Sequence, residues 1–282
     1  MEVQKICVCG SGTMGSGIAQ AAAQAGIQSI LYDLNPSILD KAKEGTEKNL
    51  ARLVEKGKIN DQEKTVIQES IIYTNSIEDC KAEICIEAII EKSEAKTDLF
   101  QKLAAINNSD TLFASNTSSL SLNAIAKKIP APERFAGMHF FNPATIMKLV
   151  EVIKTSFSSD ETIQKIASLA KQIGKTPVIC KDSPGFIVNR VARPFYIEAF
   201  RIAEEQNNFS QIDTLLESAG FKMGPFRLMD LIGNDVNYAV SCSVYEQMNN
   251  PERLKPSWIQ KEKVEKGELG RKSGKGYYTY AS

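Results

Sequence analysis

The chain alternates short apolar runs with longer stretches whose apolar positions recur every three or four residues. Residues 5–9, 29–32, 70–73, 83–90, 112–114, 137–141, 148–153 and 176–180 are short runs rich in Ile, Val, Cys and Phe, which predicts strands buried on both faces. Between them, residues 18–25, 37–56, 62–68, 92–106 and 160–173 follow the helical period. Pro36 and Asp61 suit helix starts, and Gly26, Gly57 and Gly174 suit helix ends. Strand and helix in alternation predict an α/β domain of Rossmann type, with residues 37–68 as a helical hairpin inserted into it. Beyond Lys181-Asp182-Ser183-Pro184-Gly185 the strand signal stops, and residues 186–206, 211–219 and 226–248 read as helices. Two domains are therefore expected, 1–183 as the dinucleotide-binding domain and 184–282 as an all-α C-terminal domain.

The first run leads straight into Gly10-Ser11-Gly12-Thr13-Met14-Gly15, then a helix, a second strand and Asp33. A glycine-rich turn alone says little. Here the strand, turn, helix, second strand and following acid are all present, as a dinucleotide site requires. The glycines let backbone approach a pyrophosphate, and the helix N-terminus supplies amides and a favourable dipole. Asp33 would accept hydrogen bonds from the adenosine ribose and repel a 2′-phosphate, so NAD is expected rather than NADP. On the hairpin, Lys48, Arg52 and Lys56 recur at i, i+4 and i+8 as a basic stripe. With Glu44, Glu47 and Glu55 interleaved, the stripe by itself reads as a solvated face.

The sequence holds one histidine, His139, near the end of the run 137–141 and just before Asn142-Pro143. Open α/β sheets bind their ligands at the carboxyl ends of strands, which is where this imidazole would sit. Twelve residues on, Glu151 interrupts an apolar run between Val150 and Val152, and a carboxylate there needs a partner. An imidazole would supply one, and the acid would fix its tautomer. Glu91, Lys96 and the polar run Ser115-Asn116-Thr117-Ser118-Ser119 follow other predicted strands at the same edge. They could be loop and cap residues, or they could reach a ligand.

Composition narrows the partners. The 282 residues carry 34 basic and 34 acidic side chains, which removes any global case for nucleic acid or a membrane surface. Hydrophobic residues are 43% and charged residues 24%, ordinary values for a folded globular chain. No apolar run is long enough to span a bilayer, and Met1 stands so close to the first strand that no targeting peptide is expected. The six cysteines form no C-x-x-C pair and read as free thiols in a reducing, cytoplasmic setting. Cys7 and Cys9 share a strand face, yet with the histidine far away no metal site is expected.

Taken together, Gly10-Ser11-Gly12-Thr13-Met14-Gly15, Ser115-Asn116-Thr117-Ser118-Ser119, His139-Phe140-Phe141-Asn142-Pro143, Asp182-Ser183-Pro184-Gly185-Phe186-Ile187-Val188-Asn189-Arg190 and Gly270-Arg271-Lys272-Ser273-Gly274-Lys275-Gly276-Tyr277-Tyr278 resemble the L-3-hydroxyacyl-CoA dehydrogenase family, especially its short bacterial 3-hydroxybutyryl-CoA members. The resemblance runs over essentially the whole chain. It implies interconversion of 3-hydroxyacyl-CoA and 3-ketoacyl-CoA with NAD, in fatty-acid or butyrate metabolism. It implies His139 as acid/base with Glu151 as its orienting carboxylate, and Ser118 and Asn189 on the substrate's 3-oxygen. Gly10, Gly12, Thr13, Met14, Gly15, Asp33, Glu91, Lys96, Ser118, Asn142 and Lys272 fall on cofactor positions. Lys56, with Arg52 and Asn49, falls on the hairpin that holds coenzyme A, and Asn49 stands where a mitochondrial member has a serine. The resemblance also implies a homodimer formed through the helical domain. Dehydrogenases that use a catalytic lysine or a nucleophilic cysteine do not need the His139-Glu151 pair. A dinucleotide-binding protein without catalysis would not need it either.

Overall fold

The computed structural model describes residues 2–206 and 208–280. Contacts divide the chain into two compact units, Met1–Asp182 and Ser183–Ser282. The first contains, in order, β1 (Lys5–Cys9), α1 (Thr13–Gln24), β2 (Gln28–Tyr32), α2 (Pro36–Glu55), α3 (Asp61–Glu69), β3 (Ile71–Thr74), β4 (Ile84–Glu87), α4 (Ser93–Ile106), β5 (Leu112–Ser115), α5 (Leu122–Ala126), β6 (Phe135–Phe140), β7 (Leu149–Lys154), α6 (Asp160–Gln172) and β8 (Thr176–Lys181). One eight-stranded sheet runs in the order β3-β2-β1-β4-β5-β6-β7-β8. Its first six positions are parallel, so β1, β4, β5 and β6 all end at one edge. The order reverses between β1 and β4, which opens the crevice where such sheets take a ligand.

Alternation along β1 explains why the sheet is covered on both faces. Ile6 and Val8 join Ile18, Ala19 and Ala22 of α1 in one core, while Cys7 and Cys9 point to the opposite face. On that opposite face Cys85 is in register with Cys7 and with Phe113, and Phe113 with Phe135. Phe100 of α4 packs edge-on against both rings at 6.1 and 5.0 Å, so α4 covers this side. The hairpin is real: Asn35 caps α2 above Pro36, and Asn60 with Glu63 forms a reciprocal capping box on α3.

One strand expectation changes. The run 83–90 is a strand only to Glu87, because Ala88 onward turns over the glycine loop. β7 runs antiparallel to β6, with β8 parallel to β7.

The second unit is helical: α7 (Val188–Gln206), α8 (Phe209–Ser218), α9 (Pro225–Ile232), α10 (Asn234–Gln247) and α11 (Trp258–Glu265). Phe200, Phe226 and Tyr277 meet in its core. The single helix expected over 226–248 is two helices, because Gly233 takes φ 104° between them, a backbone state most side chains reject. No described helix is long and apolar enough to cross a membrane.

Candidate active site

The glycine loop is shaped by contact with the segment after β4. A Cβ on Gly10 would lie 2.5 Å from the Ala88 carbonyl oxygen, and one on Gly15 would lie 1.7 Å from that of Gly10. Above Gly12, by contrast, nothing lies within 4 Å. Gly12 caps α1 without a side chain and the first turn holds no acid, so the helix leaves its N-terminal amides to an anion. Asp33 follows the next strand directly and accepts from the Ser11 amide at 2.8 Å, the Ser11 hydroxyl at 3.0 Å and the Asn35 amide at 3.0 Å. A carboxylate has about four acceptor positions, so one remains for a ribose hydroxyl. The residues present therefore fit a dinucleotide.

Beside this loop is a groove of about 350 Å³, bordered by Thr13, Lys41, Gly45, Asn49 and Asn142. Asn49 thus faces the groove, whereas Lys48, Arg52 and Lys56 are exposed on α2 and at its end, outside the groove lining.

A buried polar cluster organises the next two strand ends. Lys96, 1% exposed, reaches Glu87 at 2.5 Å and Glu91 at 3.1 Å. Glu87 also accepts from the Ser115 hydroxyl at 2.6 Å and the Ile89 amide at 2.8 Å. Glu91 accepts from the Thr117 hydroxyl at 2.5 Å, the Ser118 amide at 3.1 Å and the Ser119 hydroxyl at 3.2 Å. Burial raises the Glu87 carboxyl above the usual carboxylate range even beside the ammonium of Lys96. Burial also opposes ionisation of Glu91, but Lys96 and Thr117 outweigh it and hold that carboxyl below its usual range. Lys96, a residue expected at a cofactor position, pairs with Glu91 and ties it and the Ser118 loop to β4. Glu87 and Asn116 were not anticipated; Asn116 accepts the Phe140 amide at 2.8 Å and so joins that loop to β6. The signal for Glu87 was an acid between Ile86 and Ala88 inside the apolar run 83–90, the same signal that pointed to Glu151.

The antiparallel pairing brings the remaining pieces together. His139 and Glu151 stand directly opposite in register, which puts both side chains on one face at short range. Nδ1 lies 2.7 Å from Glu151 Oε2, with the histidine 5% and the acid 0% exposed. A carboxylate there takes the Nδ1 proton in hydrogen bonding and makes Nε2 the basic nitrogen. In the second unit, Asn189 lies in the first turn of α7, where its carbonyl accepts from Arg193 Nε at 3.0 Å. Lys272 Nζ is 2.6 Å from Asp235 Oδ1.

Comparison with known proteins covers both units. Residues 5–183 match the 3-hydroxyacyl-CoA dehydrogenase NAD-binding domain, and residues 185–280 match the C-terminal domain of the same family. The chain is 45% identical to the 3-hydroxyadipyl-CoA dehydrogenase of Escherichia coli over 99% of its length, and it spans 60% of that longer protein. It is 39% identical to a probable 3-hydroxybutyryl-CoA dehydrogenase of Deinococcus radiodurans, covering 98% of this chain and 100% of the relative. The crystal structure of a (S)-3-hydroxybutyryl-CoA dehydrogenase from Ralstonia eutropha matches with a TM-score of 0.94 at 35% identity, each chain covered completely.

Proposed function

The chain belongs to the NAD-dependent 3-hydroxyacyl-CoA dehydrogenase family, and from that premise we propose that it interconverts (S)-3-hydroxybutyryl-CoA and acetoacetyl-CoA. The observation that carries this reading is the in-register His139-Glu151 pair at the carboxyl edge of the nucleotide-binding sheet. Gly10, Gly12, Thr13, Met14 and Gly15 would cradle the NAD pyrophosphate, Asp33 the ribose, and Glu91, Lys96, Ser118, Asn142 and Lys272 the remainder. NAD supplies the hydride acceptor for C3. In the oxidising direction His139 removes the 3-hydroxyl proton; in reduction it returns a proton to the 3-oxygen. Glu151 holds the ring in one tautomer and stabilises the imidazolium in a water-poor setting. Ser118 and Asn189 are assigned by the family resemblance to the 3-oxygen.

Acetoacetyl-CoA should oxidise NADH in the presence of the enzyme, and a series of 3-ketoacyl-CoA chain lengths that includes the adipyl compound should favour the four-carbon substrate. Better turnover of the adipyl compound would assign the enzyme to dicarboxylic substrates instead. A cytoplasmic role in fatty-acid or butyrate metabolism belongs to the same reading. So does a homodimer through the helical unit, whose exposed Val191, Leu231, Val236 and Trp258 favour it and whose mass in sedimentation tests it.

Cofactor choice follows from Asp33. A like-charge contact costs several kcal/mol and each 1.4 kcal/mol is tenfold, so kcat/KM with NADPH should be roughly 100-fold below that with NADH. Equal efficiencies would remove Asp33 from the ribose site. On the hairpin, Asn49 borders the groove and Lys56 adds charge at the helix end. Lys56→Ala should raise the KM for acetoacetyl-CoA about two- to fivefold with kcat unchanged, the size of an exposed ion pair. Added salt should then affect the variant less than the parent. An unchanged KM at low salt would leave the stripe as a solvated face.

A further inference from the structure

A second chemical constellation lies behind the nucleotide loop and takes no part in the reaction proposed above. Cys7 and Cys9 share a face of β1, and Cys80 reaches the same place from the end of the 3-10 turn Ile77–Asp79. The three sulfurs lie within 4.8 Å of one another, Cys7 and Cys9 being 3.7 Å apart, and all three residues are 0% exposed. Cys85 stands beside them in register with Cys7, but its thiol is directed to the Cys80 carbonyl at 3.9 Å. Single buried thiols serve as small apolar side chains. Three thiols converging from two distant segments are a different matter, because sulfur atoms sharing one ion at about 2.3 Å must sit about 3.8 Å apart in a tetrahedral site and about 4.0 Å apart in a trigonal one. The Cys7-Cys9 spacing is of that size and far longer than a disulfide bond of about 2.05 Å.

We propose that Cys7, Cys9 and Cys80 form a buried three-thiolate site for a soft monovalent cation of the Cu(I) class. Softness follows from an all-sulfur donor set, and a three-coordinate ion follows from the number of converging sulfurs. A structural zinc site takes four ligands, and Cys85, directed to the Cys80 carbonyl, lies outside the group of sulfurs within 4.8 Å of one another. Each thiol proton leaves as its sulfur ligates, with no change of oxidation state.

The test uses the full chain with Cys180→Ser and Cys242→Ser, which removes the two half-buried thiols outside the cluster. Reduced protein is titrated anaerobically with Cu(I) held by bathocuproine disulfonate, and bound copper is counted after desalting. One Cu(I) per chain, with a raised thermal midpoint, is the expected result. Cys80→Ser and Cys9→Ala, each checked for folding by circular dichroism, should weaken binding about 10- to 100-fold or more. No retained copper, or equal retention in both variants, overturns the proposal. Tight binding of one Zn²⁺ in preference to Cu(I) overturns it as well.

Discussion

Lys96→Met should cost the fold several kcal/mol at neutral pH and much less near pH 5. Removing one partner of a buried pair leaves an uncompensated charge, typically worth about 3–5 kcal/mol, and both Lys96 and Glu87 are almost wholly buried. The pH dependence follows from Glu87. An acid whose folded pKa lies above its unfolded one contributes stability that is complete below the unfolded value and is lost as pH rises through the folded value. Burial already raises Glu87 with Lys96 in place. Without the ammonium the folded value climbs further, so protonation rescues the variant in acid and the deficit opens toward neutrality. Glu91 adds to the same trend: its lowered carboxyl contributes stability above the unfolded pKa, and losing the ammonium at position 96 removes the main source of that lowering. Urea unfolding at the two pH values measures the difference. Glu87→Gln combined with Lys96→Met should recover much of the loss, because replacing both members of a pair is often close to neutral. A deficit independent of pH would mean that Lys96 acts through packing alone.

That cluster also shows where sequence reasoning stopped. The glycine loop, Asp33 and the strand run of β1 are local patterns, in which spacing and burial of a few neighbouring residues settle the outcome. Glu87 and Lys96 are nine residues apart across a strand end and a helix start, so no periodicity links them. The resemblance gave Lys96 a cofactor position; its buried ion pair with Glu87 is a property of three-dimensional packing. The helix expected over 226–248 fails for a local reason that was visible, since Gly233 lies inside it, but periodicity on both sides masked the break.

The antiparallel turn between β6 and β7 was legible in principle. Parallel neighbours need a crossover of a dozen residues or more, and only residues 141–148 separate these strands. A hairpin-like return was therefore forced, and with it the opposition of residues 139 and 151. Sequence suggested the pair from the need of a buried acid for a partner, and register fixes it, because a slip of one residue would send the acid to the other face.

The pairing carries the largest kinetic expectation. General acid/base catalysis commonly contributes on the order of 10²–10⁴ in rate, so His139→Gln and Glu151→Gln should each lower kcat by an amount in that range. Glutamine at 151 keeps the strand and nearly the same volume, yet it can stabilise the wrong tautomer and cannot stabilise an imidazolium. NADH affinity should stay close to that of the parent in both variants, since Gly10, Asp33 and the start of α1 are untouched. Residues that act as a unit are non-additive, and these two share a 2.7 Å hydrogen bond with almost no exposure. The double variant should therefore be little slower than the slower single one. Losses that multiply would show instead that Glu151 serves only the strand in which it is buried, and that His139 takes its orientation from another group.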